Sequence, residues 1–210
     1  MITKDREYLS FEFLARQEGE GMFVDGQAAI FDRPAEWFVM DGVKYYLVID
    51  SHALDRAEMG DVVLNIEHGG KPAAKTRNGT LKLDLRPDGL YVSADLSQNV
   101  TGRELFEEIL KKFYDRMSFA FGIEEVGGDS YDQPTHTRTV LRIKRLWDVA
   151  AVTWAVFEQT QVSARAWVET QHAMDSRAEV LRAAEVVRVA EAAQHLERLK
   201  LCSQILAKVG

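Results

Sequence analysis

Cysteine is almost missing from this chain: Cys202 stands alone among 210 residues. That rules out a disulfide within the chain and a zinc site built from cysteines, and it fits a reducing compartment. Basic charge is scarce too. Against 33 Asp and Glu there are 26 Lys and Arg, a formal net charge of −7, so the chain lacks the electropositive footprint with which a nucleic-acid binder collects phosphates. No nucleic-acid partner is expected. No uninterrupted apolar run reaches the roughly 18 residues of a membrane span, and Met1–Glu7 holds no apolar signal core. No membrane partner is expected, and the cytosol is the expected location.

Whole catalytic plans are missing as well. There is no His-Glu-x-x-His, no close histidine pair and no cysteine cluster, so neither a metal site nor a cofactor is expected. A Gly-x-Ser-x-Gly elbow and a Gly-rich phosphate loop with its lysine are both absent, which sets aside the α/β-hydrolase and P-loop designs. Among 33 acidic residues no spacing singles out the carboxylate pair of a glycosidase.

What is present is a chain 46% hydrophobic and 28% charged, the balance of one compact domain with an appendage. From Tyr8 to Val162 short runs alternate or are apolar, as in Leu9–Phe13, Lys44–Ile49, Asp61–Ile66 and Thr80–Leu85. Their period of two predicts strands. Arg86-Pro87-Asp88-Gly89 ahead of Leu90–Ala94 predicts a hairpin, with proline presetting one dihedral and glycine permitting a positive one. Thr101 and Glu104 have capping-box spacing, and Leu105, Ile109 and Leu110 give an apolar face through Lys112, which predicts a helix. A strand holding Ser118, a loop over 127–134, an alternating strand over 137–146 and a buried strand over 149–154 follow. Together they predict a mainly β fold with one or two helices, a closed or partly closed antiparallel β-barrel over residues 1–163.

Residues 164–210 differ in kind. From Arg165 on, Ala, Glu, Arg and Leu dominate, and neither proline nor glycine appears before Gly210. Leu199, Cys202, Leu206 and Val209 recur at helical spacing, and Glu191 and His195 interrupt the apolar stripe. A helical arm is predicted, suited to docking on a partner or on a second copy.

Arg116-Met117-Ser118-Phe119-Ala120-Phe121-Gly122 places a hydroxyl in an apolar strand. His68, which ends the run Val62–Ile66 and precedes Gly69-Gly70, offers an imidazole, and a serine becomes a nucleophile when such a base takes its proton. The same residues have a plainer reading, a small serine bonded to a neighbouring carbonyl and a structural histidine at a strand end. His52 and His136 rival His68, whereas His172 and His195 fall on the helical arm.

In order along the chain, Val24–Asp32, Asp61–His68, Lys75–Leu83, Gly89–Val92, Thr101–Leu105, Met117–Phe121 and Leu146–Val149 with Val152-Thr153 resemble the landmarks of a known family. It is that of the prohead (procapsid maturation) proteases of tailed bacteriophages, related to the herpesvirus assemblins. The resemblance runs from about Leu9 to Arg165. It implies an assemblin-like barrel and a serine endopeptidase with Ser118 as nucleophile, His68 as general base and Asp148 as third member. His136 is the alternative third member, because assemblins use a second histidine there. Thr153 and Trp154, on the strand after Asp148, are the expected backbone neighbours of the oxyanion. The chain departs from the family at Ala150 and Ala155, where serine and proline are frequent, and at Ala120, where glycine is common. None of these alanines replaces a proposed catalytic group.

The resemblance further implies action inside the assembling prohead, in the host cytoplasm, on the major capsid protein and scaffold polypeptides. Self-association, and self-cleavage near residues 162–165, are expected with it. A second reading keeps the same strands and arm but makes the chain a non-catalytic assembly scaffold or peptide-binding barrel, in which Ser118 and His68 are structural.

Overall fold

The computed structural model describes residues 7–18, 21–153 and 167–190, and the chain divides into two units, Met1–Ala164 and Arg165–Gly210. In chain order the first unit contains β1 (Glu7–Glu18), β2 (Gly21–Ile30), β3 (Ala35–Met40), β4 (Val43–Ile49), β5 (Val63–Ile66), β6 (Gly69–Lys75), a 3-10 turn at Thr76–Asn78, β7 (Leu81–Arg86), β8 (Gly89–Asp95), α1 (Val100–Leu110), β9 (Arg116–Ile123), β10 (Asp129–Asp132), β11 (Thr137–Val140) and β12 (Ile143–Val152). An eight-stranded sheet has the order β6-β5-β12-β9-β1-β2-β8-β7, and a four-stranded sheet the order β10-β11-β4-β3.

The run Val149-Ala150-Ala151-Val152 in β12 is buried throughout, as befits a strand covered on both faces. β12 pairs antiparallel with β9 but parallel with β5, and β11 is parallel to β4. The expected all-antiparallel arrangement is thus corrected at two pairs, each separated by enough chain to make the crossover that parallel strands require. β6 and β7 are the outer strands of the large sheet, yet only residues 76–80 separate them, so the sheet curls until its edges lie within about 20 Å. Among the described residues no ladder joins these edges, and the expected barrel is not closed by hydrogen bonds.

Local chemistry shifts several expected boundaries. The alternating run 137–146 is two strands in two sheets, broken where Leu141 N and Arg142 N both donate to Gly128 O. Part of the expected loop is β10, which pairs with β11. In the β7–β8 hairpin Arg86 pairs with Gly89, so Pro87 and Asp88 make the turn, and Gly89 is not among the positive-φ glycines. Glycine is needed there for a different reason: a Cβ would lie 2.1 Å from Ala29 O.

α1 starts earlier than the capping-box spacing suggests. Asn99 is its N-cap and accepts from Gly102 N, in line with the stronger capping preference of Asn over Thr. Leu105, Phe106 and Ile109 form the buried face, while Leu110 points outward at 47% exposure. In the second unit a helix, α2, runs through residues 167–190. Leu199, Cys202, Leu206 and Val209, with Glu191 and His195, lie outside the described residues, as do Trp154, Ala155 and the segment 162–166. Among the described residues no helix is long and apolar enough to cross a membrane.

Candidate active site

Three adjacent strands carry the site. Ser118 on β9 pairs with Ala150 on β12, and Ala150 pairs with Asn65 on β5. Two residues along, Ala120 pairs with Asp148, and Asp148 with Val63. Directly paired residues project from the same face of a sheet, and so do residues two apart on one strand. Ser118, Asp148 and Asn65 therefore share one face, with only the methyl groups of Ala150 and Ala120 between them on β12 and β9.

The base arrives from the turn beyond β5. Ile66 pairs with Gly69, which leaves Glu67 and His68 as the two central residues of a hairpin, with φ of 50 and 54. This is a type I′ turn, a place ordinarily taken by Asn-Gly. Holding a residue with a Cβ in that left-handed region costs about 1–2 kcal/mol. The turn is fastened to β12: Glu67 N donates to Ala151 O at 3.0 Å, and Glu67 Oε1 accepts from Thr153 N at 2.9 Å and Thr153 Oγ1 at 2.8 Å.

From this turn the His68 ring reaches Asp148, Nδ1 to Oδ1 at 2.5 Å, with side-chain exposures of 0% and 4%. A carboxylate accepts, so Nδ1 carries the shared proton and Nε2 is left as the basic nitrogen. Ser118 is the diagonal cross-strand neighbour of Asp148, a relation that sets their backbones about 7–8 Å apart. Asp148 is thus the neighbour of both Ser118 and His68, and Ser118 Oγ makes no hydrogen bond to the imidazole.

Ser118 is not tied to a strand carbonyl. It is fully buried, yet its Oγ has no hydrogen-bond partner among the described residues, a condition that costs about 1–3 kcal/mol for a buried hydroxyl. A structural serine in a strand is bonded to a nearby carbonyl. Ser118 and the His68 side chain are both fully buried.

Over residues 10–175 the sequence matches the family described as Caudovirus prohead serine protease. The chain belongs to that family. Among solved structures, that of the bacteriophage T4 capsid assembly protease, gp21, is similar over 70% of this chain and 98% of that one, at 14% identity and a TM-score of 0.43. No curated protein matches the chain. As a prohead serine protease the protein is an enzyme, and the reading of it as an inert scaffold falls away.

The remaining candidate residues of the prohead protease lie elsewhere. His136 stands beside the four-stranded sheet, its Nδ1 3.3 Å from Tyr131 Oη and its ring 5.1 Å from that of Tyr45. His52 is exposed and bonded to Asp55 at 3.0 Å. Arg145, close to Asp148 in sequence, lies 3.5 Å from Glu58 and over the Trp147 ring. Thr153 is three residues past Ala150 on β12, about 10 Å along the chain from the level of Ser118, and its N–H is taken by Glu67. Trp154 lies outside the described residues.

Two polar residues at the site escape sequence reasoning. Asn65 is 7% exposed, and its Oδ1 has no hydrogen-bond partner among the described residues. Glu67 is the other. The signal that could have found it is the gap of two residues between Ile66 and Gly69, the length of a tight hairpin.

Proposed function

We propose that Ser118, His68 and Asp148 are the catalytic triad of this prohead protease and that its substrates are capsid and scaffold polypeptides in the assembling prohead. The observation that carries this reading is the buried 2.5 Å bond between His68 and Asp148, on the face that presents the Ser118 hydroxyl. His68 Nε2 takes the Ser118 proton as Oγ attacks the scissile carbonyl. Nδ1–H stays on Asp148, which stabilises the imidazolium, and the imidazolium then protonates the leaving amine. Water, activated by the same nitrogen, opens the acyl-enzyme, releases the new carboxyl end and restores Ser118.

In this reading the curled eight-stranded sheet is a partly closed assemblin-like barrel, and substrate docks as an extended strand, drawing affinity from main-chain hydrogen bonds. On the same reading the enzyme also cleaves itself in the 162–165 stretch, which holds the border between the two units, and so trims its own helical unit during maturation. Until then that unit docks the protease to scaffold or to another copy. Host cytoplasm, in the prohead interior, is the place of action.

Ser118→Ala is expected to keep the fold, seen in an unchanged thermal unfolding midpoint, and to abolish processing of the phage's capsid protein. Normal processing by that variant would refute the triad. Mass spectrometry of matured capsids decides self-cleavage separately, since recovery of only the intact 23.8 kDa chain would exclude it.

A further inference from the structure

The triad chemistry makes no use of Glu67, yet this side chain accepts two hydrogen bonds beside the site. We propose that Glu67 is a positioning residue: its carboxylate clamps the end of β12 and so keeps the turn in the left-handed conformation that sets His68 on Asp148. The inference rests on the triad proposed above and assigns the group that holds its base in place.

Glu67 makes three hydrogen bonds, all with residues of β12 or directly after it: its N–H donates to Ala151 O, and its carboxylate accepts from Thr153 N and Thr153 Oγ1. β12 also carries Asp148. The histidine and the aspartate that orients it are therefore tied to one strand at both ends of the turn. This matters because Glu67 and His68 both have positive φ, a region that neither side chain favours. Relaxation of either residue to negative φ would re-aim the Cα–Cβ bond of His68 and swing the ring away from Oδ1. An Asn-Gly turn would hold itself. A turn that must contain histidine does not, and the carboxylate supplies the hold from outside.

A separate feature places the Glu67 charge at this end of the three-strand patch. Tyr114, half-buried just ahead of β9, has its hydroxyl pKa pushed up by burial first, then by the carboxylates of Glu108 and Glu67. Thr153 answers Glu67 with two donors at once, which fixes the carboxylate oxygen more narrowly than a single bond.

The test uses the full-length protein and two readouts. In the wild type, the His68 Nδ1 proton shared with Asp148 gives a low-field proton NMR resonance, and a fluorophosphonate labels Ser118. Glu67→Ala is expected to lose that resonance and to label about tenfold to a hundredfold more slowly, the scale of loss that a misplacement near 1 Å brings. Glu67→Gln, whose amide oxygen can accept the same two bonds, is expected to restore both. Thr153→Val keeps the turn's backbone bond and removes one of the two donors to the carboxylate. It should fall between the two, and it carries the test should Glu67→Ala not fold.

A resonance and a labelling rate equal to wild type in Glu67→Ala, or in Thr153→Val if that variant stands in, would overturn the positioning role and leave the triad standing. Glu67→Gln no better than Glu67→Ala would overturn the hydrogen-bonded clamp. A wild type with neither resonance nor Ser118 labelling would overturn the triad, and the role of Glu67 with it.

Discussion

In the proposed triad Asp148 chooses the basic nitrogen of His68, and that choice can be tested with one atom exchanged. Asp148→Asn keeps the size of the side chain but offers an N–H where the imidazole needs an acceptor, and the ring then settles in the wrong tautomer. Turnover is expected to fall by about 10⁴-fold with little change in unfolding midpoint, measured as processing of the capsid protein. A loss below about tenfold would show that the 2.5 Å bond has no catalytic role. The order of landmarks from which Ser118, His68 and Asp148 are proposed is legible in the sequence, and the family match over residues 10–175 supports that frame. Glu67 is not legible in the same way. Its partner Thr153 lies 86 residues away, and neither a positive φ nor a cross-strand bond leaves a local mark when the turn residues are not Asn or Gly.

Strands and the helix of the first unit are largely written in local pattern, and the misreadings share one cause: contacts distant in sequence. The period of two predicts β4, β5, β7 and β8 well, but it cannot show that the run 137–146 changes sheets, because the break depends on Gly128 O. Gly89 reads as a turn glycine, although it is the closeness of Ala29 O to its missing Cβ, 2.1 Å, that requires it. Gly89→Ala should therefore lower stability by about 2–3 kcal/mol through overpacking against backbone, seen as an earlier midpoint in urea, whereas a pure turn role would cost less. The link from β8 to α1 depends on Asp95, which accepts from Ser97 Oγ at 2.6 Å, Ser97 N at 3.0 Å and Gln98 Nε2 at 2.9 Å. The Ser97 hydroxyl, ahead of the other bonds, holds this carboxyl below the ordinary carboxylate range. A depressed folded value stabilises the protein above the unfolded pKa of about 3.9 and is lost as pH falls through the folded value. Asp95→Asn is thus expected to be less stable than wild type at pH 7, and the gap should close on acidification below that range. A gap independent of pH in thermal unfolding would mean that the ionised form is not what stabilises the link.

At the scale of the molecule, a buried Ser118 and His68 and an exposed helix pose one question, namely what brings the protease to its substrate. Composition marks residues 164–210 as different in kind, and α2 confirms a helix through 167–190, but sequence pattern alone cannot say which apolar residues stay uncovered. Val180 and Val187 are 67% and 56% exposed and lie seven residues apart, on one face of the helix. If that face docks the enzyme to scaffold or to another copy, the double variant Val180→Glu with Val187→Glu should leave the Ser118 labelling rate untouched, because the first unit keeps its triad. Incorporation into proheads, followed by sedimentation, should fall together with capsid processing, since each glutamate puts a charge where an apolar surface would be desolvated. Normal incorporation by the double variant would remove the helix face from the docking role and would require the contact to be made by the first unit.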